Sequence, residues 1–399
     1  MRLFPLVAWT LLLQGAYVTS KTSAGVWVDD GYGHTVKAEL PPGEAKVLKR
    51  HMLDIFGLPQ PLRHRRHHQP RVNGSAPAFL RSIYDALDER GHAPHLDPEH
   101  RATVGAADII MTFVNRNTRL HHLSDSHRRL MFNLDDVPLA DSLLGAELRV
   151  YNESPKKFIG EHLVLQVYLG ARDKSEERVI AKAILPDKGW TSLNVTAAAL
   201  SWILLPDSNF GLRLAVTKPS HKHELHLSEV GVAGGHDRED IRPFIVAFFA
   251  QPEKTRKPYR SRTTRSANPK SDYNNPFATG PPEHDPLPPE TQCQKRPLHV
   301  SFRDLGWQEW VIAPEGYDAN FCDGRCQFPL LAGMNATNHA IIQTLVKMKK
   351  AYSDGERPPP DACCAPNDLT TISVLYYNYS NNVVLKKYPK MIVKTCGCI

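Results

Sequence analysis

Cys322-Asp-Gly-Arg-Cys326 and Cys396-Gly-Cys398 are two short cysteine pairs far apart in the chain, and their spacing decides how its last part folds. If they bridge pairwise, Cys322 to Cys396 and Cys326 to Cys398, the two backbone segments close a ring of eight residues. A third bridge can thread such a ring only if nothing fills its middle. Gly324, at the centre of the longer segment, has no β-carbon and tolerates positive φ, so it leaves that space. Cys293 and Cys364 are the natural threading pair. Cys363 is then left over, and adjacent cysteines seldom bridge each other, because a disulfide wants α-carbons about 4.4–6.8 Å apart with converging side chains. The odd thiol therefore points to a second chain. Zinc held by clustered cysteines with His339 or His299 is the competing reading, but the spacing fits no usual four-ligand pattern. No metal and no cofactor is expected.

All seven cysteines lie in the last 107 of the 399 residues, so the rest of the chain must fold without crosslinks. A dense cysteine cluster implies an oxidising compartment, where each bridge contributes about 2–5 kcal/mol to a small domain. The N-terminus agrees: Met1-Arg2, an apolar run from Leu3 to Leu13, then Val18-Thr19-Ser20 reads as a signal peptide over 1–20. That run is about half of the roughly 20 residues needed to cross a bilayer, so membrane insertion is not expected. From Ser266 onward 13 Lys/Arg balance 13 Asp/Glu, so the net charge of +7 belongs to the part before it. A nucleic-acid partner inferred from that charge would be assigned to the wrong segment.

Outward from the cysteines, residues 266–292 are rich in Pro, Asn and Gly and read as a flexible extension. Just before them, 251–265 is a basic linker ending Arg262-Thr-Thr-Arg265-Ser266. Exposed arginines on an extended backbone suit the acidic cleft of a furin-type protease, with the cut between Arg265 and Ser266. A solvated or heparin-binding basic run is the alternative, and the position between a cysteine-free and a cysteine-rich region favours the cut. Arg63-His-Arg-Arg66 is a second candidate. His64, His67 and His68 in the same run form a cluster that could bind metal weakly, and a solvated basic loop is the favoured reading.

Further upstream, Glu44 to Phe56 places Val47, Leu48, Met52 and Ile55 at helical spacing before Gly57-Leu58-Pro59. A second helix begins at Ser75-Ala76-Pro77, with Ser75 as cap and Phe79, Ile83 and Leu87 on one face. These helices, over about 44–90, either pack on their own domain or clamp another part of the chain. From Ile109 to Ala250 the alternation of Leu163, Leu165, Val167 and Leu169 and the run Phe244–Phe249 predict an antiparallel sheet domain. In the last part, Leu298, Val300 and Phe302, and Val374–Tyr377 with Val383–Leu385 across a turn at Asn381-Asn382, predict two β fingers. Asn335 or Thr337 can cap a helix over about 338–350 whose Ile341, Leu345 and Met348 form an apolar stripe. So thin a domain has little interior, and the stripe needs burial elsewhere.

Residues 293–399 resemble the transforming-growth-factor-β superfamily and, within it, the bone morphogenetic proteins. The resemblance is carried by Leu305-Gly-Trp307-Gln-Glu-Trp310-Val-Ile-Ala-Pro-Glu-Gly-Tyr317, the Cys322–Cys326 segment, Phe328-Pro-Leu330 and Met334-Asn-Ala-Thr-Asn-His-Ala-Ile-Ile-Gln-Thr-Leu345. It continues in Cys363-Cys364-Ala-Pro366, Leu385-Lys-Lys-Tyr388 and Lys394-Thr-Cys-Gly-Cys-Ile399. The subgroup of the fifth to eighth members and their invertebrate counterparts is the most similar. Gly57-Leu-Pro59, Ser75-Ala-Pro77, Phe113-Val-Asn115, Gly189-Trp190 and Pro243–Phe249 carry a looser likeness upstream. The resemblance implies a small antiparallel β cystine-knot growth-factor domain over 293–399, preceded by an α+β prodomain over 21–265 that assists folding and can stay associated.

It also implies a secreted, extracellular ligand: a dimer linked through Cys363, a homodimer or a heterodimer with related ligands, that gathers type I and type II serine/threonine-kinase receptors and drives SMAD signalling. Extracellular antagonists are implied partners. Trp307 and Trp310 would ordinarily be core; the resemblance assigns them, with Phe328, Pro329 and Met334, to the type I receptor surface. Ala313, Ser373, Leu375 and Leu385 match the type II surface. The stretch 351–362 is about six residues longer than in close relatives of the family, a solvated excursion that costs little stability. N-glycosylation sequons stand at Asn73, Asn194, Asn335 and Asn378, and at Asn152, a weaker candidate because Pro155 follows it. Enzyme motifs such as G-x-S-x-G, H-E-x-x-H or a phosphate loop do not occur. The remaining rival is a secreted cystine-knot antagonist, which would lack the receptor surfaces and, usually, the prodomain.

Overall fold

The computed structural model describes residues 25–29, 35–39, 53, 74–88, 98–116, 126–135, 137, 142–219, 221–251, 292–351, 358–378 and 380–399. The expected signal peptide, both candidate cleavage runs with Arg63, Arg66, Arg262, Arg265 and Ser266, the histidines His64, His67 and His68, and Asn73 lie outside them. The chain divides into two units, residues 1–60 and 61–399. The first holds an antiparallel hairpin of β1 (Gly25–Asp29) and β2 (Thr35–Glu39). Of the helix expected over Glu44–Phe56, Leu53 alone is described, and it is helical.

The second unit opens with α1 (Ser75–Asp88) and α2 (Pro98–Ala106). In α1, Ala76, Leu80, Ile83 and Tyr84 recur at helical spacing and are buried, while Ala78, Arg81, Ser82 and Asp85 face solvent. Each large apolar side chain so buried stabilises the packing by about 1.5–3 kcal/mol. Ser75 is not the helix cap that its residue type suggests. The first helical bond runs from Ala78 N to Gly74 O, and the Ser75 hydroxyl donates instead to Arg242 O at 2.7 Å. The Ser75 amide donates to Glu239 O at 2.8 Å. The start of α1 is therefore tied to a loop far along the chain, and a tertiary acceptor has taken the hydroxyl from the local one.

Strands follow as β3 (Ile109–Val114), β4 (Arg129–Leu130), β5 (Ser142–Glu153), β6 (Val164–Leu169), β7 (Arg178–Ile184) and β8 (Lys188–Asn194). Then come α3 (Thr196–Leu204), β9 (Leu212–Lys218), β10 (His221–Leu225), the single turn α4 (Leu227–Val230) and β11 (Phe244–Ala250). Strands β10, β9, β6 and β7 form one antiparallel sheet, with β4 beside β9. Strand β5 alternates buried Ala146, Leu148 and Val150 with more exposed Glu147 and Arg149, as a half-covered strand should. By contrast, β3 and β11 are buried residue after residue, the pattern of central strands covered on both faces.

After the linker come the short strands β12 (Gln294–Arg296), β13 (His299–Ser301), β14 (Val311–Ala313), β15 (Gly316–Asp318) and β16 (Phe321–Asp323). The helix α5 (Asn338–Ala351) separates them from the long hairpin of β17 (Cys364–Tyr377) and β18 (Val383–Cys398). Asn381, at φ 55°, sits in its turn, where the sequence predicted one. The helix is capped by Thr337, whose Oγ1 accepts from Ala340 N at 3.1 Å.

The sheet order is where the structure goes beyond the sequence. A seven-stranded sheet runs β14-β17-β18-β3-β11-β5-β8. Strand β18 of the C-terminal finger pairs antiparallel with β3 of the N-terminal region, Val383 opposite Thr112 and Leu385 opposite Ile110. The two regions that the sequence separates by a basic linker thus share one hydrogen-bonded sheet.

Candidate interaction surfaces

Three disulfides join Cys293 to Cys364, Cys322 to Cys396 and Cys326 to Cys398, with α-carbons 5.4–5.7 Å apart. Both sulfurs of the Cys326–Cys398 bridge and that of Cys293 lie within 4.8 Å of one another, so the Cys293–Cys364 bridge passes close beside the Cys326–Cys398 bridge. All three sulfurs are bonded to partners, so this is a covalent knot and not a metal centre. Gly324 holds φ +118°, and a β-carbon there would lie 2.2 Å from Gln292 O and 2.8 Å from Cys293 N. The threading strand therefore passes where a side chain would be.

Cys363 is the free, exposed cysteine among the described residues. Its backbone is held rigidly, since Cys363 N donates to Ile399 O and Ile399 N to Cys363 O, both at 2.9 Å. Near it, α5 leaves Ile341, Ile342, Leu345 and Val346 exposed, with Ile342 at 60%. The returning end of the long loop is tied to this helix: Gln343 donates to Pro360 O at 2.8 Å, and Lys347 pairs with Asp361 at 2.6 Å.

Of the residues matched to the type I surface, Phe328 is exposed and Pro329 half-buried, whereas Trp307, Trp310 and Met334 are buried. Trp307 stacks on Phe302 at 5.8 Å, and Trp310 meets Tyr376 edge-on at 5.8 Å. Within the single chain the aromatic stack covers both tryptophans, which are 6% and 9% exposed. Residue type alone pointed to core, and core is where they are.

The finger's tyrosines carry a consequence for pH. Burial pushes Tyr377 up to about 12, and burial with Tyr376 beside it pushes Tyr388 further up. The folded chain thus keeps the Tyr377 proton in a range where the unfolded chain has lost it. Stability should fall as pH rises from the ordinary tyrosine value, about 10, through about 12. An alkaline titration followed at the phenolate absorbance should show tyrosines that ionise only together with unfolding. Smooth ionisation of every tyrosine near pH 10, with the circular dichroism unchanged, would contradict it.

Ala313, Leu375 and Leu385, matched to the type II surface, are 4%, 0% and 1% exposed, and Ser373 is half-buried opposite Lys387. The three apolar residues share one buried cluster with Ala76, Leu80, Ile83 and Tyr84 of α1 and with Val104 of α2. A helix from the N-terminal region thus lies on the face that the resemblance presents to a receptor. Its other side is anchored on its own region: Phe79 meets the Phe244 ring at 5.6 Å, and the Arg149 guanidinium lies 4.3 Å from the Phe79 centroid. At the fingertip, Arg116 donates to Ser380 O, and the Thr112 hydroxyl donates to Val383 O at 3.3 Å. Sequence reasoning left open whether α1 clamps another part of the chain and named no partner for β3. The one signal for that pairing was the largely apolar run of β3, interrupted at Thr112.

The sequons divide. Asn194 is exposed, with its Oδ1 accepting from Thr196 N at 3.0 Å, and Asn335 is exposed, with its Nδ2 donating to Cys396 O at 3.0 Å. Asn378 is half-buried at the fingertip, where its Oδ1 accepts from Asn382 N at 2.9 Å. Asn152 does not fit a glycan: it is fully buried, and its Nδ2 donates to Pro186 O at 2.6 Å and to Ser154 Oγ at 3.0 Å. The nitrogen that a glycan would need closes the β5–β8 end instead.

Residues 31–248 match the family described as TGF-beta propeptide, and residues 292–398 the Transforming growth factor beta like domain. The chain is 36% identical over 378 residues to Bone morphogenetic protein 8A of Homo sapiens, covering 89% of this chain and 90% of that protein. It is 33% identical over 433 residues to Protein 60A of Drosophila virilis, covering 97% of each. With Protein 60A of Drosophila melanogaster it shares 32% over 426 residues, 94% of this chain and 92% of that one. A propeptide, a knotted C-terminal domain and likeness along nearly the whole chain agree: the chain belongs to the transforming-growth-factor-β family of growth factors, as a bone-morphogenetic-protein-like ligand with its propeptide.

Proposed function

We propose that this chain is the precursor of a secreted ligand that acts as a Cys363-linked dimer, gathering type I and type II serine/threonine-kinase receptors to drive SMAD signalling. A furin-type protease cuts after Arg265, and a further cut after Arg66 is open to it. The propeptide then stays on the ligand through the shared sheet and α1, and covers the convex face of the fingers until a receptor displaces it. The observation that carries this reading is the apolar patch of Ala313, Leu375 and Leu385, three residues of one finger face buried under a helix of the propeptide. An apolar patch of this kind on a thin domain needs a partner at every stage, first the propeptide and then a receptor. The exposed stripe on α5 and the outward Cys363 support burial against a second copy, which would present each receptor surface twice.

The test is expression in a secretory host. Medium run without reductant should show a dimer at about twice the mature mass, collapsing on reduction and absent for Cys363→Ser. Leu375→Ala in the ligand should weaken type II receptor binding roughly 10-fold or more, the scale of losing one buried anchor. Phe328→Ala, at an exposed residue of the type I surface, should weaken type I binding, and the disulfide dimer should persist in both variants. A reductant-insensitive species would sink the covalent dimer. Unchanged receptor binding by both alanine variants would sink the receptor assignment.

A further inference from the structure

Helix α2 ends at Ala106 with no basic residue in its last turn. A helix C-terminus leaves up to four carbonyls without an intrahelical partner and carries a partial negative charge of about half an electron. Here the cation comes from the other end of the chain. Lys387 Nζ donates to Val104 O at 3.0 Å and to Gly105 O at 3.2 Å, and Lys387 N donates to Asp108 O at 2.9 Å. Strand alternation places Lys387 on the same face as Leu385, two residues before it, and opposite Ser373 of β17. Val104 of α2 and Ala107 just after it belong to the same buried cluster as Leu385. Its neighbour Lys386 lies on the other face, 4.9 Å from the Tyr388 ring centroid. Of the two adjacent lysines, one is thus committed to the propeptide.

We infer that Lys387 is the docking cation of the ligand for its propeptide: it supplies the C-terminal cap that α2 lacks, and so holds that helix closed over the finger. Apolar contacts under α1 hold the cover on, and this charged group sets its register, because an ammonium reaches two carbonyls in only one placement of the helix end. Once the propeptide leaves, the same ammonium stands beside Leu375 and Leu385. A partner that takes over the patch must bring its own carboxylate or carbonyl acceptors there, or leave a desolvated cation unpaired. The inference deepens the proposed function and rests on its view that the propeptide covers this face.

The test uses the uncut precursor, secreted with Arg262→Ala and Arg265→Ala, and reads amide hydrogen exchange in peptides spanning residues 98–108. Lys387→Met removes the charge and keeps an unbranched apolar stem. Exchange in that segment should rise roughly 10-fold, the scale of losing two hydrogen bonds to a charged group, with knot peptides unchanged. Lys387→Arg, which can still reach the carbonyls, should restore most of the protection. Unchanged exchange in Lys387→Met would overturn the inference. Should that variant fail to be secreted, amine-reactive labelling of the parent precursor decides: Lys387 should react several-fold more slowly than the exposed Lys390 and Lys394, and equal rates would overturn the inference. Retention of the propeptide after cleavage is read separately, by size-exclusion chromatography of the cut protein.

Discussion

Gly324→Val is expected to remove the correctly bridged ligand from the medium altogether. The β-carbon alone would meet Gln292 O at 2.2 Å and Gln292 C at 2.4 Å, both backbone atoms, and Gln292 adjoins the threading residue Cys293. Neither side can yield, because Cys322 and Cys326 on either flank of Gly324 are bridged to β18, and Cys293 is bridged to β17. The backbone at φ +118° adds a penalty that a β-branched residue cannot relieve. With the ring filled, the Cys293–Cys364 bridge cannot form, and a domain this thin loses about 2–5 kcal/mol with each native bridge. Non-reducing gels with disulfide mapping decide the matter. Gly333→Ala is the control: beyond its chain neighbours no atom lies within 4 Å of the added carbon, and normal secretion is expected. Native bridges at parental yield in Gly324→Val would show that the ring has room to spare.

Leu80→Asp should detach α1 from the finger. Leu80 is fully buried in the cluster that joins the propeptide to Leu375, Val383 and Leu385. Truncation to Ala at such a site costs about 2–5 kcal/mol, and a carboxylate costs more, since it must be desolvated without a partner. The cut propeptide should no longer co-elute with the ligand, and peptides over residues 75–88 should lose their exchange protection. Ala78→Asp, on the exposed side of the first turn, should leave co-elution intact, because an acid there faces water and suits the helix N-terminus. The three knot disulfides should form in both variants, for they lie in a different cluster from Leu80. Co-elution of the Leu80→Asp propeptide at the parental level would mean that the strand pairing of β3 with β18 suffices without the helix.

These two sites also mark how differently the chain discloses itself. The knot was legible because its logic is covalent: cysteine spacing and one glycine limit which bridges can close, and no distant surface alters that. The hairpin turn at Asn381, the apolar face of α1 and the strand character of β11 were legible for a similar reason, since each follows from residue type and local period. Ser75 was misread by the same rules, and Asn152, the weaker sequon, is buried. A Ser before a helix ordinarily caps it, and an Asn-x-Ser ordinarily stands open, but Arg242 O and Pro186 O captured these side chains from far away in the sequence.

By itself, then, the sequence determined a knotted C-terminal domain with one leftover thiol, a crosslink-free region before it and amphipathic helices in need of cover. Tertiary structure alone decided what covers what. Backbone hydrogen bonds carry almost no sequence code, so nothing in Ile109–Val114 names Val383–Lys386 as its neighbour. An apolar stripe likewise states that α1 must be buried without stating on which surface. The same holds for charge: the end of α2 needs a cation, and only the folded chain shows that Lys387, some 280 residues away, provides it.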